Sequence, residues 1–352
     1  MIQTTTDLAN FLGNCADTDG QRVCAIDTEA DSLHRYRESL CLIQFTAGNE
    51  CVLIDPLAIG DLSPLDAYLK DSTVWMHGAD YDMTMLKREF GQLPATVFDT
   101  QIGARLLGVE KFGLGNLVEH YFEIVLSKSS QKADWGKRPL SEKMIDYALN
   151  DVRYLLQMGD IIVTRLKEKG RYDWFMESCE SARAKVADRD DSKEDQWRIS
   201  GSGKLDSYGL ACLRALWNWR DKEAEAWDKP SFMVAPNRNL IEWSQLLADK
   251  QNIVLPHHFR GDRVKRYKEA LSEMKGLPKS EWPTRIVIKR RKRDREFDRN
   301  VDDMISRRNS IAGELGIDGS LVASRSVIES LVSGEAEPSE LMMKWQRDLL
   351  EI

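Results

Sequence analysis

Three separated groups of acidic residues have spacings that suggest metal chemistry. The first is Asp27 and Glu29 in the stretch AIDTEAD, directly behind an apolar run that predicts a strand. Because residues two apart on a strand share a face, both carboxylates are expected to point to the same side. Acids are also common where a strand ends in solvent, so the pair alone leaves that interpretation open.

The other two groups lie further along the chain. The stretch HGADYD (77–82) follows a predicted strand, and Asp80 or Asp82 could cap the helix that begins there. In YALND, Tyr147 and Asp151 are four positions apart, which places them on one face of a predicted helix. Simple exposure on the helix surface would also explain Asp151.

Convergence of these carboxylates in one cleft would require neutralisation. Two like charges ~4 Å apart repel by about 4 kcal/mol at an effective dielectric constant of roughly 20. Protons or divalent cations offset such repulsion, and all-oxygen ligand sets favour Mg²⁺ or Mn²⁺ over zinc. The sequence therefore predicts a Mg²⁺ or Mn²⁺ protein if the acids meet.

The elements that would position these residues indicate an α/β fold followed by helices. The runs RVCAIDTEA, SLCLIQFTAG and CVLIDPL predict an antiparallel meander. Strands TVWMHG and ATVFDT then alternate with helices, which indicates a mixed sheet covered by helices. A loop is predicted at 126–139, and one long helix is predicted from the N-cap Ser141 to Gly170.

The predicted loop also carries candidate nucleic-acid contacts. Lysine and arginine neutralise phosphates, and an indole can stack on a base. A solvent-exposed loop with its tryptophan anchored in the core is equally consistent with the pattern. The candidates are Lys128, Lys132, Trp135, Lys137 and Arg138.

Composition indicates several domains in a folded, soluble chain. The 352 residues are 42% hydrophobic and 30% charged, and no apolar run approaches the length of a membrane span. The start MIQTTTDLANFLGN lacks the features of a signal peptide, and the six cysteines contain no CxxC pair, so we expect a reducing cytoplasm. The net charge of −7 argues against a sequence-independent DNA coat, although local basic patches remain compatible with it.

Five motifs occur in order over about residues 1–175: DTE, HGAxxD, DTQIGARLLG, KSSQKADWGKRPLS and YALNDVRYLL. Together they resemble the ribonuclease D family of 3′–5′ exonucleases, which carry four acids and a tyrosine. The segment that starts at LDSYGLACLRALWNWRDKEAEAWDKP resembles an HRDC domain, the helical nucleic-acid-binding module of that family. The tail with GELGIDGSLVASRSVIESL resembles a second, degenerate copy.

The resemblance implies an α/β, RNase H-like (DnaQ-like) exonuclease domain with a mixed sheet at 1–186 and an all-α HRDC domain at 205–283. The polar segment 187–204 predicts a linker between them. Residues 284–352 would form the degenerate HRDC-like region. The run KRRKRDR (289–295) predicts either a phosphate-binding patch or a charged linker.

The resemblance also implies roles for individual residues. Asp27, Glu29, Asp82 and Asp151 would hold two Mg²⁺ or Mn²⁺ ions, with Asp27 between them. Tyr147 would orient the attacking water. Related nucleases place a histidine five residues before the last acid, where this chain has Asp146, so the tyrosine subclass is indicated.

The implied activity is hydrolysis of single-stranded RNA from the 3′ end, releasing 5′-nucleoside monophosphates, as in maturation of tRNA and other stable RNAs. We expect a monomer that does not bind membranes. A DNA exonuclease of the same fold stays open, because contacts to the 2′-OH decide that choice. An inactive nucleic-acid-binding protein is the other alternative, and the intact set of four acids and a tyrosine argues against it.

Overall fold

The computed structural model describes residues 1–15, 21–127, 129–189, 195–286 and 295–352. Its five-stranded sheet has the order β3-β2-β1-β4-β5. The first three strands pair antiparallel, whereas β4 and β5 run parallel to β1, which confirms the predicted meander and mixed sheet. The strands are β1 Arg22–Ala30, β2 Leu40–Ala47, β3 Glu50–Ile54, β4 Ser72–Met76 and β5 Thr96–Asp99.

Helices cover both faces of this sheet. The predicted long helix after Ser141 is divided in two at Tyr154, and this junction separates a helix that packs on β2 and β3 from one that packs against β4. The helices are α1 Thr5–Asn14, α2 Ser63–Lys70, α3 Asp80–Phe90, α4 Thr100–Leu106, α5 Leu114–Phe122, α6 Glu142–Arg153, α7 Leu155–Glu168 and α8 Tyr172–Ala187.

The remaining secondary-structure elements of the described chain are all helices. Short 3₁₀ turns lie at Ser202–Lys204 and Lys279–Glu281. No helix in the described segments has the length and apolar character needed to cross a membrane. These helices are α9 Ser207–Trp227, α10 Ser231–Val234, α11 Asn237–Ala248, α12 Gly261–Gly276, α13 Arg295–Leu315, α14 Gly319–Val322, α15 Arg325–Val332, α16 Pro338–Leu341 and α17 Lys344–Leu350.

The chain forms two compact units. One consists of Met1–Ala30, Leu40–Arg189 and Lys292–Ile352, and the other of Asp31–Ser39 and Asp190–Arg291. Helices α13 to α17 therefore belong to the same unit as the sheet. The domain borders at 186, 204 and 283, and the HRDC-like character of 284–352, stay predictions.

Alternate residues of β1 face two different cores within the first unit. Ile26 packs in a core with Phe45 and Leu86, whereas Ala25 packs on the opposite face with Trp75 and the helix α7. Because Asp27 and Glu29 alternate in step with Ala25, their side chains lie on the face that α6 and α7 cover. The strand pattern thus determines which helices the acids meet.

The second unit has a helical core of its own. Apolar residues of α9, α11 and α12 form it, with Trp219, Trp243 and Tyr267 in edge-to-face contacts. Glu223 is buried beside this core and accepts hydrogen bonds from Arg263 and Arg266. A buried carboxylate is tolerated there because two guanidinium groups neutralise it.

Candidate active site

The carboxyl end of β1 brings the predicted acids together. Asp27 and Glu29 come from β1, Asp82 from the first turn of α3, and Asp151 from α6. Carboxylate oxygens of Asp27, Glu29 and Asp151 all lie within 4.8 Å of one another, which is close enough for one cation to contact all three. These three acids therefore converge as the predicted metal site requires.

Asp82 lies beside this group, and Thr28 of β1 donates hydrogen bonds to it. Its Oδ1 atom accepts hydrogen bonds from the backbone N–H of Thr28 at 2.9 Å and from the Thr28 hydroxyl at 2.6 Å. Its charge is near enough to raise the pKa values of Asp27, Glu29 and Asp151. The structure thus places Asp82, rather than Asp80, at the cluster, while Asp80 pairs with Arg189 at the surface.

The turn between β4 and α3 aims Asp82 at β1. Gly78 adopts a φ of +67°, a left-handed conformation that glycine accepts without strain. The buried Asp99 at the end of β5 holds this turn, because its carboxylate accepts hydrogen bonds from Gly78 N at 2.9 Å and Ala79 N at 3.0 Å. The same carboxylate caps α4 through Gln101 N at 2.7 Å.

Burial and mutual repulsion oppose ionisation of the clustered acids. Burial, and then the charges of Asp82, Asp151 and Glu29, raise the pKa of Asp27 well above its ordinary value. Burial is also the main reason why the pKa of Glu29 rises to about 8 and that of Asp151 to about 7. The pKa of Asp82 rises to about 6, again through burial, although its hydrogen bonds from Thr28 oppose the rise.

This donor set fits a hard divalent cation. The cluster offers carboxylate oxygens alone, which suit Mg²⁺ and Mn²⁺ better than zinc. Carboxylates that resist ionisation at neutral pH gain the most from a cation, since it supplies the missing countercharge. The cluster is therefore consistent with the divalent-metal dependence expected from the sequence.

Tyr147 projects from α6 into the same cluster. Burial, followed by the charges of Asp151, Glu29 and Asp27, raises the pKa of its hydroxyl, which therefore stays protonated at neutral pH. A neutral hydroxyl can orient a water molecule by hydrogen bonding but cannot act as a strong base. Its ring centroid lies 6.1 Å from that of Trp135.

Two of the predicted nucleic-acid contacts are wrong. Trp135 is only 2% exposed and packs in a core with Leu42 and Ala148, so no face of its indole is open to a base. Arg138 directs its guanidinium inward, where it binds Asp55 and backbone carbonyl groups. The alternative of a loop anchored in the core by its tryptophan is confirmed.

The remaining basic candidates stay predictions. Lys132 and Lys137 are exposed, and the Lys137 Nζ atom lies 3.6 Å from the Asp134 carboxylate. Lys128 and residues 289–294 of the basic run lie outside the described residues. No described contact assigns any of these basic residues to a ligand.

One buried amide beside the cluster, that of Gln44, is not among the site residues that the sequence predicts. Gln44 lies directly opposite Asp27 in the β1–β2 pairing, so both side chains project from the same face of the sheet. The residue is fully buried, and neither of its amide atoms has a hydrogen-bond partner among the described residues. A glutamine within the apolar run SLCLIQF was the signal that could have identified it.

Comparisons with known proteins show which family and which solved structures the chain resembles. The family model of 3′–5′ exonucleases matches residues 1–167, and that of HRDC domains matches residues 209–253. Ribonuclease D of Zymomonas mobilis is 30% identical, over 98% of this chain and 90% of its own. The crystal structure of Escherichia coli RNase D superposes with a TM-score of 0.75 at 26% identity, covering 100% of this chain and 98% of that one. A protein from Bifidobacterium adolescentis shares the fold, with a TM-score of 0.81 at 23% identity over 99% and 94% of the two chains.

Proposed function

Because this chain belongs to the ribonuclease D family of 3′–5′ exonucleases, we propose that it shortens single-stranded RNA from the 3′ end in a reaction that depends on divalent metal ions. Family membership makes it a 3′–5′ exoribonuclease with a DnaQ-like fold. The products would be 5′-nucleoside monophosphates. Precursors of tRNA and other stable RNAs are the substrates we propose.

The convergence of Asp27, Glu29 and Asp151 is the observation that carries this proposal. These acids come from elements more than a hundred residues apart, yet their oxygens meet within 4.8 Å. A partly buried group of carboxylates with raised pKa values is costly for the fold, and such groups are typical of functional sites. An inactive binding protein would have no need of it.

The chain's own residues would divide the work of hydrolysis. Asp27, Glu29 and Asp151 would hold divalent ions, and Asp82 would contribute from α3. Two bound Mg²⁺ or Mn²⁺ ions would supply a nucleophilic hydroxide at neutral pH and neutralise charge on the leaving oxygen. Tyr147 would orient the attacking water through its neutral hydroxyl, consistent with its raised pKa.

We also propose a monomer that works in the cytoplasm. None of the six cysteines forms a disulfide bond, and four of them are buried, which suits a reducing compartment. Light scattering of the purified protein at assay concentration would test the monomer, and a mass twice that of one chain would contradict it.

Digestion of matched RNA and DNA oligomers with Mg²⁺ tests the activity. We expect stepwise loss of nucleotides from the RNA 3′ end and a reduction in kcat of about 10²-fold or more in Asp27→Asn. Asp80→Asn is the matched control, because Asp80 is an acid of the same motif whose side chain is 70% exposed. Hydrolysis of RNA by Asp27→Asn at the wild-type rate would refute the site, and faster digestion of DNA would favour the DNA exonuclease.

A further inference from the structure

Every N–H group of the Arg138 guanidinium donates a hydrogen bond within the protein. Its Nε and Nη2 atoms donate to the two carboxylate oxygens of Asp55 at 2.8 and 2.6 Å. Nη2 also donates to the carbonyl of Cys41 at 2.7 Å, and Nη1 donates to the carbonyls of Trp135 at 2.8 Å and Lys137 at 2.9 Å. A guanidinium has five N–H groups, and each of them has an acceptor here.

These contacts join three separate parts of the first unit. Asp55 directly follows β3 and is 1% exposed, Cys41 belongs to β2, and Trp135 belongs to the loop before α6. A bidentate arginine–carboxylate pair is both strong and directional, so it restricts how the loop can lie on the sheet. Removing Arg138 would leave the buried carboxylate of Asp55 without its counterion.

The consequence reaches the active site through one side chain. The carbonyl that Arg138 binds belongs to Trp135, whose buried indole packs against Leu42 and Ala148 and lies 6.1 Å, centroid to centroid, from the ring of Tyr147. The Tyr147 ring therefore packs against this indole. If the loop shifts, the indole shifts with it and the Tyr147 ring loses this packing contact.

We propose that Arg138 and Asp55 form a clamp that positions Tyr147 through Trp135, which makes Arg138 a positioning residue for hydrolysis at the acidic cluster. The effect on the reaction rests on the proposed function, whereas the effect on the Tyr147 ring does not. The loop 130–139 then holds the Tyr147 ring in position at the site. Its arginine and tryptophan serve Tyr147, not the nucleic acid.

A double-mutant cycle separates this role from contact with RNA. Arg138→Lys keeps the charge but cannot make the bidentate pair. Displacement of a catalytic group lowers kcat by about 10- to 100-fold. We expect this loss with KM for RNA and Mn²⁺ affinity within twofold of wild type. If Arg138 acts through Tyr147, Arg138→Lys should cause little further loss in a Tyr147→Phe background. Independent losses in the double variant, or a raised KM with a smaller salt dependence, would overturn the proposal.

General destabilisation requires its own control. Arg171 is another buried arginine of the same unit, and it donates to the carbonyls of Leu106 at 2.7 Å and Leu315 at 2.6 Å. Arg171→Lys should therefore disturb packing without reaching Tyr147, so its effect should combine independently with Tyr147→Phe. Should Arg138→Lys fail to fold, Asp55→Asn tests the same pair from the other side and should show the same coupling.

A spectroscopic measurement tests the clamp without any assay of activity. In protein labelled with 3-fluorotyrosine, the ¹⁹F resonance of Tyr147 is the one that disappears in Tyr147→Phe. We expect this resonance to shift in Arg138→Lys and in Asp55→Asn but to stay in place in Arg171→Lys. An unchanged Tyr147 resonance in both clamp variants would overturn the proposal. A shift in a protein that fails to digest RNA would instead retain the clamp and reject the proposed function.

Discussion

Individual carboxylates make the site sensitive to pH. Burial raises the pKa of Glu29 from 4.5 to about 8 and that of Asp151 from 3.8 to about 7. Because these folded-state values lie above those of the unfolded chain, the folded protein binds more protons in the window between them. The contribution of these acids to stability therefore falls as pH rises from about 4 to about 8, and divalent cations counteract the loss because they bind the deprotonated form.

This pH dependence can be measured as a difference between two metal-free proteins. We expect the free energy of unfolding of Asp151→Asn to exceed that of wild type at pH 8.5 by an amount on the order of a few kcal/mol, and this advantage to become much smaller at pH 5. Mn²⁺ should raise the melting temperature of wild type at pH 8.5 much more than that of Asp151→Asn. A difference between the two metal-free proteins that stays constant with pH would contradict the burial argument.

The sequence predicted the acids better than the basic loop for a physical reason. The spacing of Asp27 and Glu29 on a strand, and of Tyr147 and Asp151 on a helix, determines their faces locally. A basic loop with a tryptophan looks the same whether it faces solvent or the interior. The partner that draws Arg138 inward is Asp55, 83 positions away, and nothing in the local pattern identifies it.

At the level of strands and helices, close packing between β4 and α7 supports the sheet that carries the acids. A Cβ atom on Gly159 of α7 would lie 2.8 Å from the indole ring of Trp75, which is closer than real side chains approach. The sequence does not predict the role of Gly159, because a helical pattern does not show which residues of other elements pack against the helix. For the same reason, the helical pattern does not predict the break between α6 and α7 at Tyr154.

Gly159→Ala should therefore destabilise the protein even though alanine favours helices. Overpacking of a well-packed core costs about 1–3 kcal/mol, and urea denaturation measures it. Gly115→Ala in α5 is the matched control, since nothing lies within 4 Å of its Cβ position. That control should be neutral or stabilising by up to about 1 kcal/mol. A Gly159→Ala protein as stable as Gly115→Ala would show that β4 and α7 are less tightly packed than the structure indicates.

At the scale of the whole molecule, the first unit includes helices α13 to α17. The sequence predicted that these helices form a second, degenerate HRDC-like region. Trp345 of α17 is 4% exposed and stacks on Trp174 of α8 at a centroid distance of 5.0 Å. Glu177 of α8 accepts hydrogen bonds from the backbone N–H groups of Lys344 and Trp345 at the start of α17. Helical periodicity predicted these helices, but their docking depends on contacts about 170 positions apart, which local patterns do not contain.

If α17 supports the nuclease unit, Trp345→Ala should loosen α8 rather than the helices of the second unit. Truncation of a buried tryptophan costs about 3–5 kcal/mol, and local opening of the element it covers becomes more frequent. Hydrogen–deuterium exchange followed by mass spectrometry should show faster exchange in residues 172–187. Trp227→Ala is the matched control, because Trp227 belongs to the second unit and is 48% exposed. Unchanged exchange of α8 in Trp345→Ala would mean that the carboxyl-terminal helices fold independently of the nuclease, as the resemblance to a second HRDC copy implies.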